Sequence, residues 1–186
     1  NNYIHEKSSI LHIAPKRGLQ KYLIGFEKIH YTDGDLERPN ANMKLDVQKL
    51  PFKNNVFNLI LTSHLLFSVP NDRVALLEYQ RVLSSSGLII MTEPISWEIE
   101  ETIPIRQKVL HTQSETKQEV TRILNDRFAK RVYGGDFLHL LDQVGFEVQI
   151  KKLTTDFSPE YIEKHGLDPS VYVFILTSDE NDTNMM

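Results

Sequence analysis

The sequence predicts a doubly wound α/β fold: a mostly parallel sheet with helices on both faces and an antiparallel strand at its C-terminal end. Three observations carry this. Residues 56–62 (VFNLILT) and 87–92 (GLIIMT) are almost wholly apolar, the composition of central parallel strands covered on both faces. Between them Leu76, Tyr79 and Leu83 recur at helical spacing, with Asn71 or Asp72 available as N-cap. Strand, helix and strand in that order make a right-handed crossover, and short β-rich runs alternate with helical stretches over most of the chain.

The remaining elements follow in order. Residues 9–14 form a compact apolar run closed by Pro15, and an amphipathic stretch continues to Phe26. Residues 28–32 and 42–47 read as short strands. Phe137, Leu140, Leu141 and Val144 fall at i, i+3, i+4 and i+7, one apolar helix face, with Gly145 where a C′ glycine belongs. Phe146, Val148 and Ile150 alternate with Glu147, Gln149 and Lys151, the period-two pattern of a half-covered strand. Ser158 and Pro159 have the pattern of N-cap and N1 of a short helix ended by Gly166, and residues 171–177 (VYVFILT) form the last of seven strands. One segment breaks the alternation. Residues 94–131 far exceed the dozen or so that a crossover needs, with Val120, Ile123, Leu124 and Phe128 suggesting a helix after the polar residues 111–117. An insertion leaving a strand's carboxyl end reads as a lid or a substrate pocket. The expected organisation is one domain over residues 1–177, with 94–131 as the lid and 178–186 as a polar tail.

Composition narrows the function. At 186 residues, 40% apolar and 25% charged, the chain has ordinary globular proportions and the length to bury a core unaided. It has no cysteine, which excludes a disulfide scaffold, a cysteine nucleophile and Cys-ligated metal, and accords with a reducing, cytoplasmic location. A net charge of −4 argues against broad capture of nucleic acid. No apolar run approaches the roughly 18–20 residues of a membrane span, and the first ten residues are too polar for a signal peptide. No HExxH-type cluster is present, so no metal is expected.

Ligands of open α/β sheets bind outside the carboxyl ends of the strands. The first βα turn reads His12-Ile13-Ala14-Pro15-Lys16-Arg17-Gly18, which is neither GxGxxG nor a phosphate loop, so dinucleotide and NTPase fingerprints are absent. Asp33 and Asp35 follow the second strand and Asp46 the third. A carboxylate at the end of the second strand can accept both hydroxyls of a ribose, and Asp46 can accept from an adenine amine.

The order of these strings resembles the class I S-adenosylmethionine-dependent methyltransferases, in the branch acting on small molecules. The stretch LDVQKLPFKNNVFNLILTSHLLFSVPNDRVALLEYQRVLSSSGLIIM is similar to that family's Asp, Leu-Pro-Phe, buried strand, Arg-Val-Leu helix end and following strand. LHIAPKRGL resembles a subgroup whose first motif reads Leu-His-Phe-Ala-Pro-Glu-x-x-Leu, and RVYGGDFLHLLDQVGFEV and HGLDPSVYVF resemble its C-terminal part. The resemblance implies a Rossmann-like seven-stranded sheet and S-adenosylmethionine as cofactor. It places His12, Ala14 and Gly18 at the methionine end, Asp35 on the ribose, Asp46 and Val47 around the adenine, and Ser63 near the methionine moiety. It leaves the catalytic residues unassigned. Histidines that relatives carry are replaced by Phe67-Ser68 after the fourth strand and by Ala129 before Arg131. His64, Glu93 and Tyr133 are the polar side chains expected nearest the acceptor. The implied activity is methyl transfer to a small molecule, such as a saccharide or lipid-linked intermediate; the alternative is a catalytically inactive relative that binds cofactor or a protein partner.

Overall fold

Strand β1 (Ser9–Ile13) is buried from Ile10 onward and lies inside the sheet. The computed structural model describes residues 3–38, 41–105 and 126–178. On one side β1 pairs in parallel with β2 (His30–Gly34), and on the other with β3 (Phe57–Ser63), which in turn pairs in parallel with β4 (Leu83–Thr92). Two two-residue strands, β5 (Ile103–Pro104) and β6 (Arg131–Val132), form a separate ladder. Strands β7 (Phe146–Lys152) and β8 (Tyr172–Ser178) complete the main sheet in the order β2-β1-β3-β4-β8-β7, with β8 antiparallel to both neighbours.

Local signals set the helices. Helix α1 (Arg17–Ile24) follows Pro15 and Lys16. Helix α2 (Asp72–Val82) is capped by Asn71, whose side chain accepts from the Val74 N–H at 3.2 Å. Helix α3 (Phe137–Val144) ends on Gly145 at φ 91°, a left-handed conformation that costs glycine little. Helix α4 (Pro159–His165) starts with Pro159 after Ser158, whose hydroxyl accepts from Tyr161 N.

Apolar packing occurs on both faces of the sheet. Leu11, Ile60, Ile89 and Met91 pack with Leu76 and Tyr79 of α2 and with Phe137 and Leu141 of α3. Ile10, Leu59 and Leu61 pack on the opposite face with Leu23 of α1. This is the doubly wound arrangement expected.

The strand expected over residues 42–47 is corrected. Among the described residues the main sheet has six strands, and this segment contributes one bridge, Asp35 to Lys44. A Cβ on Gly34 would lie 2.7 Å from Leu45 Cβ and 2.9 Å from Met43 Cγ, so the segment crosses hard against the end of β2. Leu45 and Val47 enter the core there, and Asp46 accepts from Gln48 N at 2.9 Å to turn the chain away. The segment runs parallel to the end of β2, with Asp35 N donating to Met43 O and Leu45 N to Asp35 O at 3.1 Å, but the pairing stops at that one bridge.

The insertion is tied at both ends. Ile95 bridges to Tyr133, β5 pairs with β6, and Ile105 N donates to Lys130 O at 2.7 Å. The helix expected around Val120, Ile123 and Leu124, the polar residues 111–117 and the tail beyond residue 178 lie outside the described residues. Among the described residues no helix is long and apolar enough to cross a membrane.

Candidate functional site

The carboxyl ends of β1, β2 and β3 open onto one cavity of about 450 Å³. Its wall includes Ala14 and Lys16 after β1, residues 35–38 after β2, residues 45–48, and Ser63, His64 and Leu65 after β3. Five of the seven residues implied as cofactor contacts therefore share one cavity: Ala14, Asp35, Asp46, Val47 and Ser63.

Backbone strain sits here too. Ala14 has φ 50° and His64 has φ 52°, left-handed conformations that non-glycine residues seldom adopt. Each is held by a backbone bond: Ala14 N donates to Gly34 O at 2.9 Å, and His64 N donates to Thr92 O at 2.8 Å. Such residues cost on the order of 1–3 kcal/mol and tend to cluster at ligand sites.

The two acids after β2 have separated roles. Asp35 Oδ1 accepts from Glu37 N at 2.8 Å and Arg38 N at 2.9 Å, while Oδ2 lies 3.5 Å from Arg38 Nε. An ionised carboxylate offers about four acceptor sites, so Asp35 can staple its loop and still accept from a ligand. Arg38 also donates to Pro15 O at 3.1 Å, joining the first two turns of the site. Asp33 is fully buried and outside the cavity wall. It accepts from Asn42 N and Asn42 Nδ2 at 2.9 Å and from Gln20 Nε2 at 3.0 Å, fastening residue 42 and α1 to β2.

Two expected contacts stand apart from the wall. His12 is buried within β1, and its Nδ1 lies 2.8 Å from the Tyr31 hydroxyl. Burial lowers its pKa to about 4 against the pull of Asp33, so the ring is neutral. Burial, with Asp33 beside it, pushes the Tyr31 phenol up. Gly18 lies in the first turn of α1, where a Cβ would meet nothing within 4 Å, so no close approach demands a glycine.

The polar groups expected near the acceptor also separate. Glu93 is buried, and its Oε1 accepts from Leu65 N and Leu66 N at 2.9 Å, with Oε2 3.4 Å from Phe67 N. It thus holds the 3-10 turn Leu66–Ser68, part of the cavity wall. Burial raises its pKa to about 7, opposed by these three N–H groups and by Arg131. Tyr133 is buried, and its hydroxyl donates to Asp72 Oδ2 at 2.8 Å. Burial, with Glu93 and Asp72 nearby, raises the pKa of this phenol. Arg131 donates to Leu66 O at 2.8 Å and Pro70 O at 2.9 Å and pairs with Asp72 at 3.2 Å. His64 alone of the three expected residues lies on the cavity wall.

Sequence reasoning missed Lys16, Arg38 and Phe67 as wall residues. The adjacency of Lys16 to Ala14 and of Arg38 to Asp35 was the available signal; Phe67 was noted only for the histidine it replaces. The donor set fits an adenosine-bearing cofactor: an acid after β2, an apolar surface from Leu45 and Val47, and polar groups at the ends of β1 and β3. Among the described residues no group of three His, Cys, Asp or Glu side chains gathers to hold a metal.

Comparison with known proteins agrees. A methyltransferase-domain family model matches residues 20–91. No curated protein matches the sequence. An S-adenosylmethionine-dependent methyltransferase from Mesorhizobium loti superposes with a TM-score of 0.63 at 14% identity, covering 94% of this chain and 93% of its own. One from Archaeoglobus fulgidus does so with a TM-score of 0.58 at 18% identity, covering 91% and 86%. The [4+2]-cyclase SpnF shares the fold with a TM-score of 0.55 at 12% identity, covering 95% and 76%. These likenesses concern the fold, and the family match spans residues 20–91 of it. Residues 20–91 thus match a methyltransferase-domain family, and the described chain has the fold of S-adenosylmethionine-dependent methyltransferases.

Proposed function

We propose that the strand-end cavity binds S-adenosylmethionine with its ribose on Asp35, its adenine beside Asp46 and Val47, and its methionine end toward Ala14 and Ser63. The methyl group then passes to a small-molecule acceptor, with saccharides and lipid-linked intermediates among the classes to try. One observation carries this reading: five residues implied by the motifs, from four separate stretches of the sequence, line a single cavity.

When bound, the cofactor supplies a methyl carbon on a sulfonium. Transfer forms a bond from the acceptor's lone pair to that carbon as the carbon–sulfur bond breaks, its electron pair returning to sulfur. The chain's own contribution is to position the two partners in line, which can supply several kcal/mol of the barrier. An acceptor hydroxyl must also lose its proton. His64, at the carboxyl end of β3, is the imidazole on the cavity wall and the candidate to take it.

Isothermal titration with S-adenosylhomocysteine tests the cofactor reading. Saturable heat and a higher melting temperature are expected; neither at millimolar ligand overturns it. A second reading, a non-catalytic binding module, is favoured by the engagement of both Glu93 and Tyr133 in structural hydrogen bonds. Saturable binding with no labelled methyl transferred across an acceptor panel supports that reading.

A further inference from the structure

Beside the cofactor cavity lies a second hollow of about 240 Å³, and the two share His64 and Pro94 on their walls. Its remaining character is set by Trp97 and Tyr172. Their rings meet edge to face, with centroids 5.3 Å apart and planes at 68°. Pro94 and Pro169 add two rigid apolar walls, and Lys152 places a cation 5.8 Å from the Tyr172 centroid. Trp97 remains 42% exposed, a large aromatic face left open.

The position of this hollow follows from the topology. Tyr172 begins β8, where it pairs with Lys152 at the end of β7, and Phe174 two residues on pairs with Met91 near the end of β4. The hollow is therefore at the carboxyl end of β4, next to the end of β3. That is the methionine side of the cofactor cavity under the proposed reading, and the side from which a methyl group would leave.

We infer that this hollow receives the acceptor and that the acceptor carries a flat aromatic ring, seated in the corner between Trp97 and Tyr172. This rests on the cofactor reading above for its role in transfer, though not for ring binding itself. The aromatic corner and its two prolines favour a planar ring. Edge-to-face aromatic pairs and proline rings match the faces and edges of a planar π-system. Polar residues also line the hollow, among them Glu93, Ser96, Glu98 and Ser170, so titration sets a phenol against a sugar. The volume of about 240 Å³ suits one ring with small substituents.

The chain contains a single tryptophan, so its emission reports this corner alone. The full chain is titrated with phenol and, separately, with methyl glucoside, each with and without saturating S-adenosylhomocysteine. Saturable change of tryptophan emission with phenol and none with methyl glucoside is expected. Tyr172→Leu should weaken the phenol response by about three- to tenfold, the worth of one aromatic contact, while Tyr172→Phe retains it. Neither variant should alter S-adenosylhomocysteine affinity, because Tyr172 is not on the cofactor wall. If Tyr172→Leu proves unfolded, the comparison of the two ligands on the native chain still decides. A response to methyl glucoside and not phenol overturns the aromatic assignment, and no response to either overturns the pocket. Failure of S-adenosylhomocysteine to bind is a separate result that sinks the cofactor reading and leaves the ring measurement standing.

Discussion

Removing the two acids after β2 one at a time should separate ligand affinity from fold stability. Asp33 is fully buried and accepts three hydrogen bonds from Asn42 and Gln20. Bonds to a charged group are worth roughly 1.5–3 kcal/mol each, but Asn42 is exposed and water can replace part of what it loses. A net cost of about 2–4 kcal/mol for Asp33→Ala follows, and at about 2–4 °C per kcal/mol for a chain of this size the apo melting temperature should fall by roughly 5–15 °C. Asp35 accepts two backbone N–H groups in an open loop, comparable to a helix N-cap. Asp35→Ala should cost about 0.5–1 kcal/mol of apo stability. Its loss of ribose hydrogen bonds should raise the S-adenosylhomocysteine dissociation constant about ten- to a hundredfold. Differential scanning fluorimetry of the apo protein and isothermal titration are the two assays. If Asp35→Ala destabilises as much as Asp33→Ala while affinity stays unchanged, Asp35 is a loop staple and the ribose assignment fails.

Three further outcomes are expected. Glu93 has its pKa raised from 4.5 to about 7, so the folded state binds the extra proton between those values and stability falls as pH rises through them, by about 3 kcal/mol in all. His12 has its pKa lowered from 6.5 to about 4, so stability rises with pH through that window by a similar amount. The two slopes oppose between pH 4.5 and 6.5: Glu93→Gln should leave a rising slope and His12→Gln a falling one, and identical profiles in chemical denaturation would contradict both assignments. Gly34→Ala should lower stability and loosen cofactor binding together, because its Cβ would press on Leu45 and Met43 within 3 Å; an unchanged melting temperature would mean the crossing segment yields freely. Arg131→Met should cost about 2–3 kcal/mol and weaken S-adenosylhomocysteine binding, since it removes the links to Leu66, Pro70 and Asp72 that brace the cavity wall; calorimetry and fluorimetry on the same sample check both effects.

What was legible in the sequence was local. The Asn71 cap, the Gly145 stop and the Ser158-Pro159 start depend on neighbours a few residues away, and each appears where its pattern places it. Asp35 and Asp46 were readable because the topology fixes which end of each strand a ligand meets. The burial of His12 was not legible because its short turn motif says nothing of Tyr31, nineteen residues on, whose hydroxyl it meets inside the sheet. Residues 42–47 alternate as a strand does, yet they pair with the end of β2 through a single parallel bridge and pack against the missing Cβ of Gly34, a tertiary effect without a local signature. Glu93 was expected near the acceptor, and its hold on Leu65, Leu66 and Phe67 spans 26 to 28 residues that no motif connects.

The short ladder of β5 and β6 bears on how this protein can diversify. With Ile95 joined to Tyr133 and Ile105 to Lys130, the two ends of this connection are held together as a fixed gate. Once such a gate is closed, doubling the length of what passes through it costs only about 0.6 kcal/mol of chain entropy. Lineages can therefore lengthen or shorten this connection at little cost to the six-stranded sheet. The length of that connection and the stability of the sheet are in this way free to vary almost independently.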